Sequence, residues 1–178
     1  MTLTPPQPKA PDWIGKDRPR VMLLGAGNRP HVQEETERLL HVLPQFAEVV
    51  LTDLNWESDL SQVEADFAIV LGGDGSILGA SRSMGHNQTP IIGVNMGNLG
   101  FLTTFTPEVF VDQLASLVAG ECQIMEHMML RCQVLKDNEV IAERIGLNEM
   151  AILGGPPYRK PALLDQLCAY PRAGNCAD

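Results

Sequence analysis

The sequence predicts an α/β fold: a parallel-sheet domain followed by the start of a β-rich second domain. Three observations point there. Near-continuous apolar runs recur along the first 100 or so residues, as in "RVMLLG", "FAIVLG" and "PIIGV", the pattern of strands covered on both faces. Segments with helical spacing alternate with these runs, which implies helical crossovers between parallel strands. After residue 121 that alternation stops, and two strand-like runs flank the turn sequence "KDNE", as in an antiparallel hairpin.

The elements follow in order. Residues 1–19 hold five of the thirteen prolines and read as a flexible leader. The first domain spans 20–121 and opens on the buried strand "RVMLLGAG". In "RPHVQEETERLLHVL" the residues Val32, Leu39, Leu40 and Leu43 fall at roughly helical spacing, and Pro30 suits a first turn. "AEVVLTDL" is a second strand and "ESDLSQVEAD" a short polar helix. "DFAIVLGG" is the third strand, followed by a helix over "GSILGASRSM". "TPIIGVNMG" is the fourth strand, opened by Pro90. "TPEVFVDQLASLVAG" is the clearest helix, with Thr106 to cap it, Pro107 at its first position and Gly120 at its end. Residues 122–153 read as the start of the β-rich domain, and 154–178 as an atypical tail with four prolines and no strand alternation. A β domain that short lacks partners for its sheet, so the expectation is a truncated chain or an altered reading frame near the end.

Composition sets limits on function. The apolar fraction is 44% and the charged fraction 20%, ordinary for a soluble globular protein. A net charge of -9 argues against a nucleic-acid partner, which needs a basic surface. It leaves nucleotides open, because a local glycine-rich loop can hold a phosphate without net positive charge. No apolar run is long enough for a membrane span, and no apolar signal segment opens the chain. The four cysteines, Cys122, Cys132, Cys168 and Cys176, show no CxxC or zinc spacing. Incidental thiols in a cytoplasmic protein are the expectation, with no metal-ligand set.

The chemistry gathers at "LGGDGSILGA", residues 71–80. Ligands of open parallel sheets bind outside the carboxyl ends of the strands, and this loop lies at such an end. Gly72, Gly73 and Gly75 let the backbone approach a phosphate. Asp74 would repel that phosphate unless it takes a proton from an attacking hydroxyl or helps to hold a magnesium ion. The structural alternative is a tight turn in which Asp74 caps its own helix. The loop is not a Walker A motif, having no GxxxxGK[ST] pattern.

A second glycine-rich stretch, "GVNMGNLGFLT", carries Asn95 and Asn98, both able to donate to a ligand. Phe101 within it either covers an adenine or fills the core. In "LNEMAI", Asn148 and Glu149 stand in an apolar run and suit ribose hydroxyls; a solvated strand end is the alternative. "GAGNRP", from Gly25, lacks the third glycine of a dinucleotide fingerprint and is not read as one. Asp53 sits where such folds place a ribose ligand, but a surface cap is the preferred reading.

In this order and at these separations, "GGDGSILGA", "GVNMGNLGFL" and "LNEMAI" resemble the NAD kinases, over residues 20–152. The GGDG stretch alone is shared with diacylglycerol, sphingosine and phosphofructokinases; the three together are far more specific. The resemblance implies an α/β nucleotide-binding domain followed by a β-rich domain, with the active site between them. It implies transfer of the γ-phosphoryl group of ATP to the 2′-hydroxyl of the adenosine ribose of NAD, giving NADP. Asp74 would then be the catalytic base. Gly72, Gly73 and Gly75 would cradle phosphates, and Asn148 and Glu149 would hold the adenosine part of NAD. A divalent ion, Mg2+ in most members, would neutralise the triphosphate, and the protein would be a cytoplasmic homo-oligomer. A second-domain stretch similar to TAYSLSAGG is absent from the sequence, which implies impaired or absent activity for this length of chain. The alternatives are a related GGDG-type lipid or sugar kinase, and a non-catalytic nucleotide-binding fragment.

Overall fold

The computed structural model describes residues 8–97, 100–147 and 150. The chain divides into two compact units, Met1–Glu126 and His127–Asp178.

In the first unit four strands form one parallel sheet: β1 (Arg20–Gly25), β2 (Glu48–Asp53), β3 (Phe67–Gly72) and β4 (Ile91–Asn95), in the order β2-β1-β3-β4. Every residue of β3 is buried, as its uninterrupted apolar run demands of a strand sandwiched between helices. Three helices cover the sheet: α1 (Pro30–Val42), α2 (Asp74–Met84) and α3 (Pro107–Val118). Successive strand residues face opposite sides, so the core is split in two. Val21, Leu23, Phe67, Ile69 and Leu71 pack with Val32 and Leu39 of α1 and with Phe110 and Leu114 of α3. Met22, Leu24, Ala68 and Val70 pack on the other face with Ile77, Ala80 and Met84 of α2. Thr106 caps α3 by accepting the Val109 N–H, and Pro107 opens the helix as the sequence predicts.

Three expectations change. The segment "ESDLSQVEAD" forms only a single 3-10 turn at Leu60–Gln62, because Asp59 spends its carboxylate on the Ser61 N–H and hydroxyl and only Leu60 is buried. Leu40 is exposed, while Val32 and Leu39 carry the packing of α1. The opening segment is not free over its described part. Trp13 is buried, its ring 4.8 Å from that of Phe67, its indole N–H donates to the Leu117 carbonyl at 3.1 Å, and Lys9 bridges to Ile124.

In the second unit β5 (Met129–Lys136) and β6 (Glu139–Leu147) form an antiparallel hairpin. Asp137 and Asn138 join them with φ of 52° and 65°, the two positive angles that suit a tight turn to the twist of the strands. Cys122 and Cys132 are free thiols. Among the described residues no helix is long and apolar enough to cross a membrane.

Candidate active site

The sheet order reverses between β1 and β3. The crossover from β1 runs through α1 to β2 on one side, and that from β3 runs through α2 to β4 on the other. The loops leaving β1 and β3 therefore part toward opposite faces, and the crevice between them is where open α/β sheets take ligands.

The loop after β3 lines that crevice. Gly72 ends the strand, Gly73 is the N-cap of α2, and Asp74 is its first helical residue. The cap carries no side-chain hydrogen bond, so Asp74 does not cap its own helix. Its carboxylate instead accepts from two distant backbone groups, Oδ2 from the Phe101 N–H and Oδ1 from the Leu102 N–H, each at 2.9 Å. These donors, Phe101 foremost, hold the Asp74 carboxyl below the ordinary carboxylate range, so it is an anion at neutral pH.

The two glycine-rich stretches are thus one construction. The Met96 N–H donates to the Gly72 carbonyl at 3.2 Å, and Gly72 pairs in register with Asn95. A Cβ on Gly100 would fall on the Asp74 carboxylate, and one on Gly72 would collide with Ser76. Both glycines are required by close approach. Gly73 and Gly75 differ: a Cβ on either would meet nothing within 4 Å. Bare backbone facing open space, beside a helix N-terminus, is what a phosphate group needs.

Of the predicted site residues, Gly72, Gly73, Asp74 and Gly75 come together here. Asn148 and Glu149, like Asn98, lie outside the described residues. Phe101 does not fill the core: it is 101% exposed, because its backbone is pinned to Asp74 and its side chain points away. Asp53 is not a surface cap but is 6% exposed, and it organises its own loop by accepting N–H bonds from Asn55, Trp56, Glu57 and Ser58 at 2.8–3.4 Å. Sequence reasoning missed the Phe101 and Leu102 donors and the role of Gly100. The one available signal was Gly100 itself, a glycine in a loop with no turn to explain it.

A doubly wound α/β domain whose switch-point crevice carries a bare glycine loop and an ionised carboxylate belongs to the nucleotide-binding class. Residues 21–122 match the family description "ATP-NAD kinase N-terminal domain", and the chain belongs to the NAD kinase family. It is 44% identical over 155 residues to an NAD kinase of Rhodopirellula baltica, covering 86% of this chain and 49% of that protein. It is 35% identical over 147 residues to an NAD kinase of Pseudoalteromonas translucida, covering 82% and 48% respectively. The chain therefore spans about half the length of these relatives. Its fold resembles that of yeast NADH kinase, solved in complex with NADH, with a TM-score of 0.54 at 16% identity over 75% of this chain and 44% of that one.

Proposed function

We propose that this chain carries the phosphate-binding half of an NAD kinase, which moves the γ-phosphoryl group of ATP to the 2′-hydroxyl of the adenosine ribose of NAD. The observation that carries the reading is the Asp74 carboxylate. It is held from behind by two N–H groups and stands beside the open backbone of Gly73 and Gly75.

Each carboxylate oxygen keeps a lone pair after accepting one N–H. Asp74 can therefore accept a hydrogen bond from the 2′-hydroxyl and orient its oxygen toward the γ-phosphorus. The O–P bond forms as the bond from phosphorus to the β-bridging oxygen breaks. ADP leaves with that electron pair, and the hydroxyl proton passes to Asp74. A carboxylate weakened by two donors is a poor base toward a resting alcohol. It suffices where the transition state is loose and the proton moves late, so that positioning does most of the work.

Gly72, Gly73 and Gly75 cradle phosphates in this reading, and Asn148 and Glu149 hold the adenosine part of NAD. No group of three or more His, Cys, Asp or Glu side chains among the described residues could hold a metal ion. In this reading the divalent ion is Mg2+ that arrives bound to ATP. A cytoplasmic homo-oligomer acting on small nucleotides completes the reading.

The test is a coupled assay for NADP on a chain that also carries the length its relatives have beyond it. NADP formed from ATP and NAD is the expected result. A protein that instead phosphorylates a lipid or sugar and makes no NADP would overturn the assignment.

A further inference from the structure

The wall of the crevice formed by the β3 loop has a charge problem. Asp74 is anionic, the chain carries a net charge of -9, and a nucleotide brings several more negative charges. Open glycines donate hydrogen bonds but no full positive charge.

Most cations of the α/β unit are already committed. Lys9 pairs with Asp12, Lys16 with Asp66, Arg20 with Glu64 and Arg38 with Glu35. Arg18 donates to the carbonyls of Pro44 and Ala47. Two guanidinium groups remain without a partner among the described residues, Arg29 and Arg82. Arg82 lies in the last turn of α2, at the far end of that helix from Asp74. Arg29 lies at the carboxyl edge of the sheet. It is the N-cap of α1, and it follows the loop that leaves β1 at Gly25, the register partner of Leu71.

We propose that Arg29 is a phosphate-binding residue on the opposite wall of the same crevice, an inference that rests on the nucleotide-site reading above. The backbone beneath it is fixed. The Gly27 N–H donates to the Leu54 carbonyl at 2.7 Å, Gln33 Nε2 donates to the Gly27 carbonyl at 2.6 Å, and the Arg29 N–H donates to the Ala26 carbonyl at 3.2 Å. The side chain itself is exposed and makes no capping bond to its helix. The first turn of α1 holds no acidic residue to repel an anion. A rigid root with a free, planar, permanently charged fork suits capture of phosphate oxygens. The loop "GAGNRP" lacks the dinucleotide fingerprint, yet topology places it across from the GGDG loop. The ligand chemistry is a nucleotide phosphate, which either ATP or the pyrophosphate of NAD could supply.

Calorimetric titration of ATP, NAD and adenosine into the wild type, Arg29→Ala and Arg29→Lys tests this at two salt concentrations. Arg29→Ala is expected to weaken ATP, NAD or both by about tenfold or more, as losing a charged hydrogen-bond partner does. Adenosine binding and thermal midpoint should be unchanged. Arg29→Lys should recover part of the loss, and salt should matter less to Arg29→Ala than to the wild type. Loss confined to ATP assigns the fork to the triphosphate, and loss confined to NAD assigns it to the pyrophosphate. Unchanged affinity for both phosphate-bearing ligands, or an equal loss for adenosine, overturns the role of Arg29 and leaves the nucleotide site standing. A wild type that binds neither nucleotide overturns the site and the role together.

Discussion

Asp53 closes β2 and Asp74 follows β3, and both carboxylates accept backbone N–H groups. The turn at Asp53 is closed: all four donors come from the next five residues, and the carboxylate is 6% exposed. The turn at Asp74 is open: its two donors come from a segment 27 and 28 residues away, and glycines beside it leave space. The same bond type thus builds a self-contained turn in one place and a tether between two distant loops in the other. The number and origin of the donors decide which carboxylate has lone pairs left for chemistry.

Substituting each carboxylate breaks the comparison most directly. Asp74→Asn is expected to lower turnover by about 10²–10⁴-fold in the NADP assay, if proton transfer is its role. The amide keeps only one acceptor oxygen, so one of the two loop bonds is also lost. Gly100→Ala separates these effects, since its methyl group displaces a carboxylate that stays ionisable. A displacement on the order of 1 Å should cost about 10²-fold in turnover. Turnover unchanged in both variants would return Asp74 to a structural role.

Asp53→Ala should do the reverse. Removing the acceptor shared by four part-buried loop N–H groups costs about 1–3 kcal/mol, seen as a lower thermal midpoint, while nucleotide affinity holds. Loss of nucleotide binding without loss of stability would place Asp53 in the site after all.

Acid should act on both turns in the same direction. Burial pushes the Asp53 carboxyl up, but the Ser58, Asn55 and Glu57 donors outweigh it and the net shift is down. The Phe101 and Leu102 donors lower Asp74. A carboxyl lowered in the folded state binds fewer protons than in the unfolded chain. Its contribution is therefore present above the ordinary range, about pH 4, and is lost as pH falls through the folded value. Denaturation midpoints should fall below about pH 4, and Asp53→Asn should flatten that limb. A midpoint that rises on acidification would contradict both shifts.

The smallest effect on the fold is expected from Gly75→Ala. Its methyl meets nothing within 4 Å, and alanine favours a helix over glycine by about 0.5–1 kcal/mol. Stability should hold or rise slightly while ATP binding weakens, because the methyl enters the space assigned to phosphate. Unchanged ATP affinity would move the phosphate elsewhere in the crevice.

The sheet was legible because β1, β3 and β4 are apolar runs that burial on both faces leaves no choice about. The hairpin was legible through "KDNE", whose Asp137 and Asn138 supply the positive φ angles. The GGDG loop was legible as a bare turn from strand to helix, with Gly72 ending β3 and Gly73 at the N-cap of α2, because glycines at a strand's end have few other uses. What stayed hidden was non-local. Nothing near Asp74 in sequence announces donors from Phe101 and Leu102, and no local signal decides between a covering role and a core role for Phe101. A proline-rich opening likewise concealed Trp13, whose burial depends on Phe67 and Leu117.

That buried indole sets a practical boundary. With its ring against Phe67 of the central strand and its N–H on the last turn of α3, Trp13 works as a clasp between the opening segment and the body of the unit. A version trimmed to start at β1 would leave a ring-sized hollow over the sheet and an orphaned carbonyl at Leu117. Affinity tags and protease sites belong ahead of residue 8, not at the strand where the apolar pattern begins.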